Sequence, residues 1–230
     1  MTLDTEALRA ELIEVAREMN LRGLNVNKSG NVSTRADRMD GVKGFLITPT
    51  GMPYETLAPD DLVWAPLVNP PSLREACGVR RASSEWEMHA RVYLRRGDVK
   101  AVVHTHSCHA TALACQDMPI PPFHYMVAAA GGHSIDVAPY ATFGTPQLAR
   151  IAAEALSVKN ACLLSHHGVL AAGKSLHDAL ALAAEVENLA HQYVLVCQLG
   201  KPKLISYEEM NDVLRRFRTY GQQSVQGEGR

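Results

Sequence analysis

The sequence has few of the features that mark secreted, membrane-spanning or nucleic-acid-binding proteins. Its 230 residues include five cysteines, an odd number without a CxxC pair, which argues against a disulfide framework and a cysteine-closed zinc site. No uncharged run approaches the roughly 20 residues of a transmembrane helix, and residues 1–17 lack a signal-peptide core. The formal net charge of −1 provides no field to attract nucleic acid or an anionic membrane. We therefore expect a cytoplasmic protein with reduced thiols and with neither of these partners.

The composition suffices for a large core, since 47% of the residues are hydrophobic and 20% are charged. We predict a single domain over residues 1–221, followed by a flexible tail over residues 222–230. Strand-like and helix-like segments are interspersed, which indicates an α/β or α+β protein with layers of helix around a sheet. The order of the strands does not follow from the sequence alone.

Capping residues indicate where several helices begin. Asp4 is predicted to cap a first helix, and a Ser-x-x-Glu capping box at residues 84–87 to open another. A second such box at residues 206–209 predicts the last helix, and a long apolar helix is expected over residues 175–199. Residues 66–81 lack periodicity and are predicted to form an exposed loop.

Two histidine-bearing segments carry the strongest chemical signal. Two valines lead into His104 and His106, and this spacing on a β-strand places both imidazoles on one face. Another apolar run ends in His166 and His167 before a glycine, and only one of these neighbours can face the same site. A pair plus a distant third imidazole match a catalytic zinc site with one open position. The alternative is a set of satisfied core histidines without a metal.

Five short motifs occur in an order that is typical of one family. They are GNVS at residues 30–33, TPTG at 48–51, SSEW at 83–86, HTH at 104–106 and HHG at 166–168. Together they resemble the class II aldolase and adducin head family, over about residues 5–221. Segments 124–126, 138–144 and 219–221 are most similar to its branch of L-fuculose-1-phosphate aldolases.

The resemblance implies a fold, an assembly and an activity. The fold would be a three-layer α/β/α sandwich around a largely antiparallel central sheet, and the chain would form a homotetramer with active sites between subunits. The activity would be that of a zinc-dependent class II aldehyde-lyase acting on a small sugar phosphate. Such an enzyme cleaves a ketose or deoxyketose 1-phosphate, such as L-fuculose 1-phosphate, reversibly into dihydroxyacetone phosphate and a short aldehyde, through a metal-stabilised enediolate.

The family's functional residues fall on matching positions of this sequence. The zinc ligands would be three imidazoles, those of His104, His106 and His167. Cobalt and manganese also suit imidazole ligands. Glu85 would be the acid–base carboxylate, Tyr125 would give a proton to the aldehyde oxygen, and Tyr220 would come from a mobile tail. The substrate phosphate would lie against Gly30, Asn31, Thr50, Gly51, Ser83 and Ser84.

The residues themselves allow this chemistry and also allow simpler explanations. Glu85 in a first helical turn could reach a metal at a strand end, or could be present because acids are favoured there. Ser83 and Ser84 could bind phosphate at a helix N-terminus, or could be ordinary turn and capping residues. Tyr125 lies in an apolar stretch typical of an interface tyrosine. Lys28 could add a charge to the phosphate site or be a solvated loop lysine.

Other functions share parts of this pattern. Within the family they are a methylthioribulose-1-phosphate dehydratase, a keto-acid phosphate decarboxylase and a pentulose-phosphate epimerase, and outside enzymology a non-enzymatic adducin-like scaffold. The epimerases carry aspartate where this chain has Glu85, and the intact ligand set argues against a scaffold. Lys28, His133 and the long 66–81 loop depart from the aldolase pattern and leave the substrate tail open.

Overall fold

A computed structural model of the chain describes residues 2–217, which form helices and strands in alternation. The helices in this range are α1 (Glu6–Leu21), α2 (Trp86–Arg95), α3 (Cys108–Ala114), α4 (Pro146–Ala155), α5 (Leu176–Leu199) and α6 (Tyr207–Phe217). The strands are β1 (Asn31–Arg35), β2 (Gly44–Ile47), β3 (Val63–Pro66), β4 (Ala101–Thr105), β5 (Val137–Ala138), β6 (Ala161–Leu164) and β7 (Gly168–Gly173). Short 3-10 helices lie at Tyr54–Thr56, Pro59–Asp61 and Tyr125–Ala130.

The strands form one seven-stranded sheet in the order β3-β2-β1-β4-β7-β6-β5. Every neighbouring pair is antiparallel except β5 and β6, which are parallel. The sheet is therefore mixed: five of its six pairs are antiparallel, as expected, and the parallel pair of β5 and β6 corrects the expectation at this one place. The reason is local: β5, α4 and β6 form a βαβ unit, whose helical crossover returns the chain in its original direction.

Alternation along the strands sends side chains into two cores. In β4, Val103 packs in a core with α1, α3 and α5, while Val102 packs in a second core with α2 and α4. Both valines are fully buried. Burying a side chain of this kind contributes about 1.5–3 kcal/mol, so β4 is held firmly in the centre of the sheet. Helices cover both faces of the sheet. His104 lies near the end of β4 and His106 directly after it, so both are positioned by this central strand.

The predicted capping residues are confirmed for α5 and α6, whereas α1 is capped by a different residue from the one predicted. Ser175 caps α5, and the Ser-x-x-Glu box at residues 206–209 opens α6, as predicted. The helix α1 is capped by Thr5 and not by Asp4. The carboxylate of Asp4 instead pairs with Arg9 at 2.7 Å, which removes it from the helix end.

Some expectations fall on residues that the structure does not describe: Tyr220, the domain end at residue 221 and the tail over residues 222–230. Residues 67–81, in the predicted loop, contain no helix or strand. All five cysteines lie in the described range and are free thiols. Among the helices of residues 2–217, none is long and apolar enough to cross a membrane.

Candidate metal centre

The end of β4 carries two of the predicted ligands. His104 is fully buried, and its Nδ1–H donates to the carbonyl oxygen of Val169 on β7 at 2.8 Å. This hydrogen bond fixes the ring and directs Nε2 towards the site, as in many metal-binding histidines. His106 lies one residue beyond the strand, where its backbone N–H donates to Asn25 Oδ1 at 2.6 Å. The neighbouring segments therefore hold both residues in place.

The third imidazole comes from the turn between β6 and β7. His166 has a φ of 53°, a left-handed conformation that few non-glycine residues adopt. Its side chain is exposed, whereas the ring of His167 lies 5.0 Å from that of His106. At Gly168 a Cβ would lie 2.2 Å from the carbonyl oxygen of Thr105, so only glycine lets this turn approach β4 so closely.

Glu85 reaches the histidines from the start of α2. It is the N-cap residue, and its side chain makes no capping hydrogen bond. The predicted capping box at residues 84–87 does not form, because the helix begins one residue later, with Glu85 and not Ser84 as its N-cap, and Glu87 pairs with Arg91 at 2.7 Å. Ser83 Oγ accepts the backbone N–H of Glu85 at 3.3 Å and satisfies one donor near the helix start. The carboxylate of Glu85 is thereby available to the site.

These side chains converge on one point. His104 Nε2 lies 3.0 Å from His106 Nε2 and 3.1 Å from Glu85 Oε2. Glu85 Oε1 lies 3.3 Å from His167 Nε2. The three ring planes are inclined to one another by 70° to 74°, and the four ligand atoms all lie within 4.8 Å of one another. Asn31, which faces His104 in the β1–β4 register, donates from Nδ2 to Glu85 Oε2 at 3.1 Å.

Burial and charge shift the pKa values of this cluster. Burial acts to raise the pKa of Glu85, but His104, His167 and Asn31 outweigh it and hold the pKa well below its usual range. Burial lowers the pKa of His106 and of His167 to about 4, and the charge of His104 adds to this effect. Burial acts to lower the pKa of His104 as well, yet Glu85 outweighs it and the net shift is upward. At neutral pH the Glu85 carboxylate is therefore ionised and the imidazoles of His106 and His167 are neutral, the state in which these groups bind metal cations, whereas Glu85 favours the protonated form of His104.

The donor set fits a divalent metal ion. Glu85 Oε1 is buried without a hydrogen-bond partner, and a cation between the ligand atoms would satisfy it. Three imidazole nitrogens and a carboxylate oxygen suit zinc, and cobalt or manganese also accept them. If the carboxylate yields its place to a substrate oxygen, the three histidines form an open, catalytic type of site. Among residues 2–217 this is the one group of potential ligands found in such an arrangement.

A cavity of about 380 Å³ opens beside the cluster and is lined in part by Glu85, His106 and His167. The residues predicted to bind phosphate also line it, namely Gly30, Asn31, Thr50, Gly51, Ser83 and Ser84. Gly30 and Gly51 have φ values of 73° and 70°, typical of turns that present backbone N–H groups to an anion. The side-chain amide of Asn31 is engaged by Glu85, so Asn31 also has a place in the cluster itself.

Aromatic rings form another part of the cavity lining. Tyr140 and Phe143 lie in the loop after β5, with 60% and 67% of their surfaces exposed. The ring of His166 stands edge-on to that of Tyr140, with centroids 6.0 Å apart. The sequence predicts no role for these residues, because a loop after a two-residue strand gives no periodic signal. The segment 138–144 points only to a resemblance to the fuculose-phosphate branch.

Of the two tyrosines predicted to act on protons, the structure describes Tyr125, which does not line the cavity of its own chain. Tyr125 begins the 3-10 helix Tyr125–Ala130, is 45% exposed and is not among the lining residues. Its ring contacts that of His124, with centroids 4.8 Å apart. Tyr220 lies outside the described residues. Within residues 2–217 of one chain, Tyr140 is the tyrosine that lines the cavity.

A carboxylate from α5 supports the segment that follows His106. Glu187 accepts the backbone N–H groups of His109 and Ala110, each at 2.9 Å, and so satisfies the first turn of α3. It also accepts a hydrogen bond from His109 Nδ1 at 2.8 Å. This contact joins residues far apart in the chain and could not be anticipated from a local pattern.

A buried chain of hydrogen bonds fastens α2 to β1 behind Glu85. His89 Nδ1 lies 2.6 Å from Ser33 Oγ, which lies 2.7 Å from the hydroxyl of Tyr93. Burial lowers the pKa of His89 to about 3, so its ring is neutral in the folded chain. These contacts set the distance between the helix that carries Glu85 and the strand that carries Asn31.

Comparisons with known proteins agree with one another. The sequence pattern of the family described as class II aldolase and adducin N-terminal domain matches residues 10–194. A 5-methylthioribulose-1-phosphate/5-deoxyribulose-1-phosphate aldolase of Rhodospirillum rubrum is 46% identical over 215 residues, covering 94% of this chain and 93% of that protein. An L-fuculose phosphate aldolase of Escherichia coli K12 is 42% identical over 220 residues, covering 95% and 98%. Among solved structures, an L-fuculose 1-phosphate aldolase superposes with a TM-score of 0.86 at 34% identity, covering 94% of this chain and 98% of that one.

Proposed function

The chain belongs to the family of class II aldolases and adducin N-terminal domains and is an aldolase-type lyase, and we propose that it cleaves a deoxyketose 1-phosphate. The products would be dihydroxyacetone phosphate and a short aldehyde. The relatives are named for fuculose, deoxyribulose and methylthioribulose phosphates, which differ in the half that leaves as the aldehyde. L-Fuculose 1-phosphate, the first choice from the sequence, is one member of this class.

The observation that carries the proposal is the cluster of Glu85 and three histidines at a cavity lined by hydroxyls and glycine backbones. This combination offers a cation site and an anion site in one space. A ketose 1-phosphate presents matching groups, with vicinal oxygens at one end and a phosphate at the other. The aromatic rings of Tyr140 and Phe143 supply an apolar surface, which favours a methyl or methylthio terminus over a hydroxyl.

We propose zinc as the metal, held by His104, His106 and His167 with Glu85 in reach. When bound, the ion supplies Lewis-acid stabilisation of the negative charge that develops on substrate oxygens as the C3–C4 bond breaks. The buried setting strengthens every such electrostatic interaction, since the local dielectric is low. Cobalt or manganese could replace zinc on the same ligands.

The protein's own groups would position the substrate and transfer protons. Loss of the C4 hydroxyl proton starts the cleavage, and the electron pair of the C3–C4 bond passes to the ketose half. Glu85, an ionised carboxylate in the free site, takes up one proton in exchange for the one lost from the C4 hydroxyl and passes it to C3, so that the proton count is unchanged. Asn31 keeps this carboxylate oriented through Oε2. Gly30, Gly51 and the adjacent hydroxyls would hold the phosphate in place, so that C3 and C4 stay at the cluster.

We propose that the sites lie between subunits of a homotetramer. Tyr125 is half exposed and outside the cavity of its own chain, so Tyr125 of the partner subunit is the candidate for exchanging the C4 hydroxyl proton. Tyr220 stays a prediction from the resemblance, as does the cytoplasmic location from the sequence. Mass measurement of the assembled protein, together with complementation between Tyr125→Phe and Glu85→Gln subunits, tests this arrangement. Recovery of activity on mixing supports shared sites, and its absence in mixed tetramers contradicts them.

The reaction is tested with L-fuculose 1-phosphate, 5-deoxyribulose 1-phosphate and 5-methylthioribulose 1-phosphate as substrates. We expect release of dihydroxyacetone phosphate from at least one of them. His106→Ala should abolish this release, whereas His177→Ala, which changes a 64% exposed histidine remote from the cavity, should not. Absence of dihydroxyacetone phosphate from every substrate would contradict the proposal.

The same assay separates the rival functions by their products. A dehydratase would release water and leave the carbon chain intact, a decarboxylase would release carbon dioxide, and an epimerase would change only stereochemistry. A scaffold would give none of these products and would not need a metal. The intact ligand cluster argues against a scaffold, and Glu85 argues against an epimerase. The similarity to relatives named as aldolases favours the aldolase over the dehydratase and the decarboxylase.

A further inference from the structure

Lys28 lies in the turn before β1, is exposed, and is among the residues that line the cavity. The turn is fixed by local hydrogen bonds: Ser29 Oγ donates to the carbonyl of Val26 at 2.7 Å, and Asn20 Nδ2 donates to that of Asn27 at 3.0 Å. Asn27 has a φ of 60°, a left-handed conformation that asparagine tolerates better than most residues. The position of the Lys28 backbone beside the cavity is therefore determined by the turn.

Charge around the cavity is unevenly arranged. Among the described residues that line the cavity, Lys28 is the one lysine or arginine, and Glu85, bound to the histidines, is the one acid. Lys43 and Lys159 each pair with an aspartate, at 2.7 and 2.5 Å. The ammonium group of Lys28, by contrast, has no hydrogen bond or ion pair within residues 2–217. Among residues 2–217, the positively charged Lys28 thus borders the cavity without an ion-pair partner.

The other members of the predicted phosphate site are neutral. They offer hydroxyls and backbone N–H groups, which can donate oriented hydrogen bonds to a phosphate. These groups carry no net charge, so they do not neutralise the charge of the phosphate. A phosphate monoester carries about 1.5 to 2 negative charges at neutral pH. Lysine is a common partner for such a group because it acts as a compact point charge.

We propose that Lys28 binds the substrate phosphate and makes the enzyme selective for phosphorylated over unphosphorylated ketoses. The inference rests on the proposed function for the identity of the anion. Because the bonds that change lie at the histidine cluster, Lys28 acts on substrate binding and leaves the chemical step unchanged. Its removal therefore raises KM and leaves kcat nearly as it was.

The test compares Lys28→Met, Lys28→Arg and the matched control Lys100→Met. Lys100 is exposed at the start of β4, outside the cavity lining, and its Nζ contacts only the carbonyl of Gly97 at 3.4 Å. Two quantities are measured: KM and kcat for the cleaved ketose 1-phosphate, and the Kd of inorganic phosphate by calorimetry with the zinc-loaded protein, which needs no turnover. Lys28→Met should raise KM and Kd about five- to tenfold with kcat within about twofold. Lys28→Arg should restore most of the affinity, and Lys100→Met should resemble the wild type.

Each outcome decides between the claims. If Lys28→Met binds phosphate as tightly as the wild type does, the role of Lys28 is overturned. The same holds if Lys100→Met loses as much phosphate affinity as Lys28→Met. A wild-type protein that cleaves no ketose phosphate, but whose phosphate affinity drops in Lys28→Met alone, defeats the proposed function and supports the anion site. A drop in kcat with unchanged KM would assign Lys28 to the chemical step and overturn the proposal.

Discussion

Replacing Glu85 with glutamine tests the site through a single change of charge. The shape of the side chain is kept, and its oxygen can still accept from Asn31. The negative charge is lost from a group that is 7% exposed and lies 3.1 Å from His104 Nε2 and 3.3 Å from His167 Nε2. Removing a general acid–base group costs about 10²- to 10⁴-fold in rate. We therefore expect kcat to fall by about that factor, with only a small change in KM.

The assay follows dihydroxyacetone phosphate by NADH-linked reduction at saturating substrate, with zinc content measured on the same samples. Glu87→Gln is the matched control, since Glu87 lies on the same helix but pairs with Arg91 outside the cavity. We expect the control to retain wild-type turnover. Glu85→Gln with more than about a tenth of wild-type kcat would refute the acid–base role. Equal losses in both variants would show that the helix, and not this carboxylate, is responsible.

Three other perturbations test the surroundings of the cluster. The pKa values of His106 and His167 are about 4 in the folded chain, below the ordinary 6.5, so the unfolded chain binds more protons between these values. Metal-free protein should therefore lose stability as the pH falls from about 6.5 to about 4, and a flat thermal midpoint over this range would contradict the buried, neutral imidazoles. Gly168→Ala would place a Cβ 2.2 Å from a carbonyl oxygen of β4, and calorimetry should show a loss of about 1–3 kcal/mol and weaker zinc binding. Gly97→Ala, where a Cβ meets nothing within 4 Å, should do neither, and equal behaviour of the two would refute the close approach. Glu187→Gln should lower the free energy of unfolding by about 0.5–2 kcal/mol and weaken zinc binding in a chelator competition, whereas unchanged zinc affinity would mean that α3 does not position the cluster.

The histidine pair could be predicted because the period of two along a strand is a local property. His104 and His106 need only an apolar run before them to be recognised as neighbours on one face. The choice between His166 and His167 could not be made in that way, because neither lies on a strand. The left-handed conformation of His166 decides it, and the resemblance to a family, not the pattern, pointed to His167.

The sequence does not predict which residues of loops and distant helices support the site or line its cavity. Asn25 and Glu187 act through backbone N–H groups of residues 81 and 78 positions away, which no local motif encodes. Tyr140 and Phe143 follow a strand of only two residues, too short for a periodic pattern. That same short strand forms the parallel pair with β6, so the sequence gives no sign that the sheet is mixed.

The Ser-x-x-Glu motif at residues 84–87 shows why a capping signature alone is ambiguous. The motif does not tell whether the glutamate side chain accepts the backbone N–H at the helix start or forms an ion pair with a residue one turn further along the helix. Here Arg91 stands one turn further on, and Glu87 pairs with it at 2.7 Å. At residues 206–209 the same motif does form the box, with Glu209 N–H donating to Ser206 Oγ at 3.2 Å.

The central claim is that His104, His106, His167 and Glu85 hold a metal ion on which cleavage depends. The most direct measurement is the metal content of purified wild type and His167→Ala, with release of dihydroxyacetone phosphate before chelation, after chelation and after zinc is returned. We predict about one divalent ion per wild-type chain, a large loss of metal in the variant, and activity that disappears on chelation and returns with zinc. Full turnover by a chelated protein that retains far less than one ion per chain would contradict the claim.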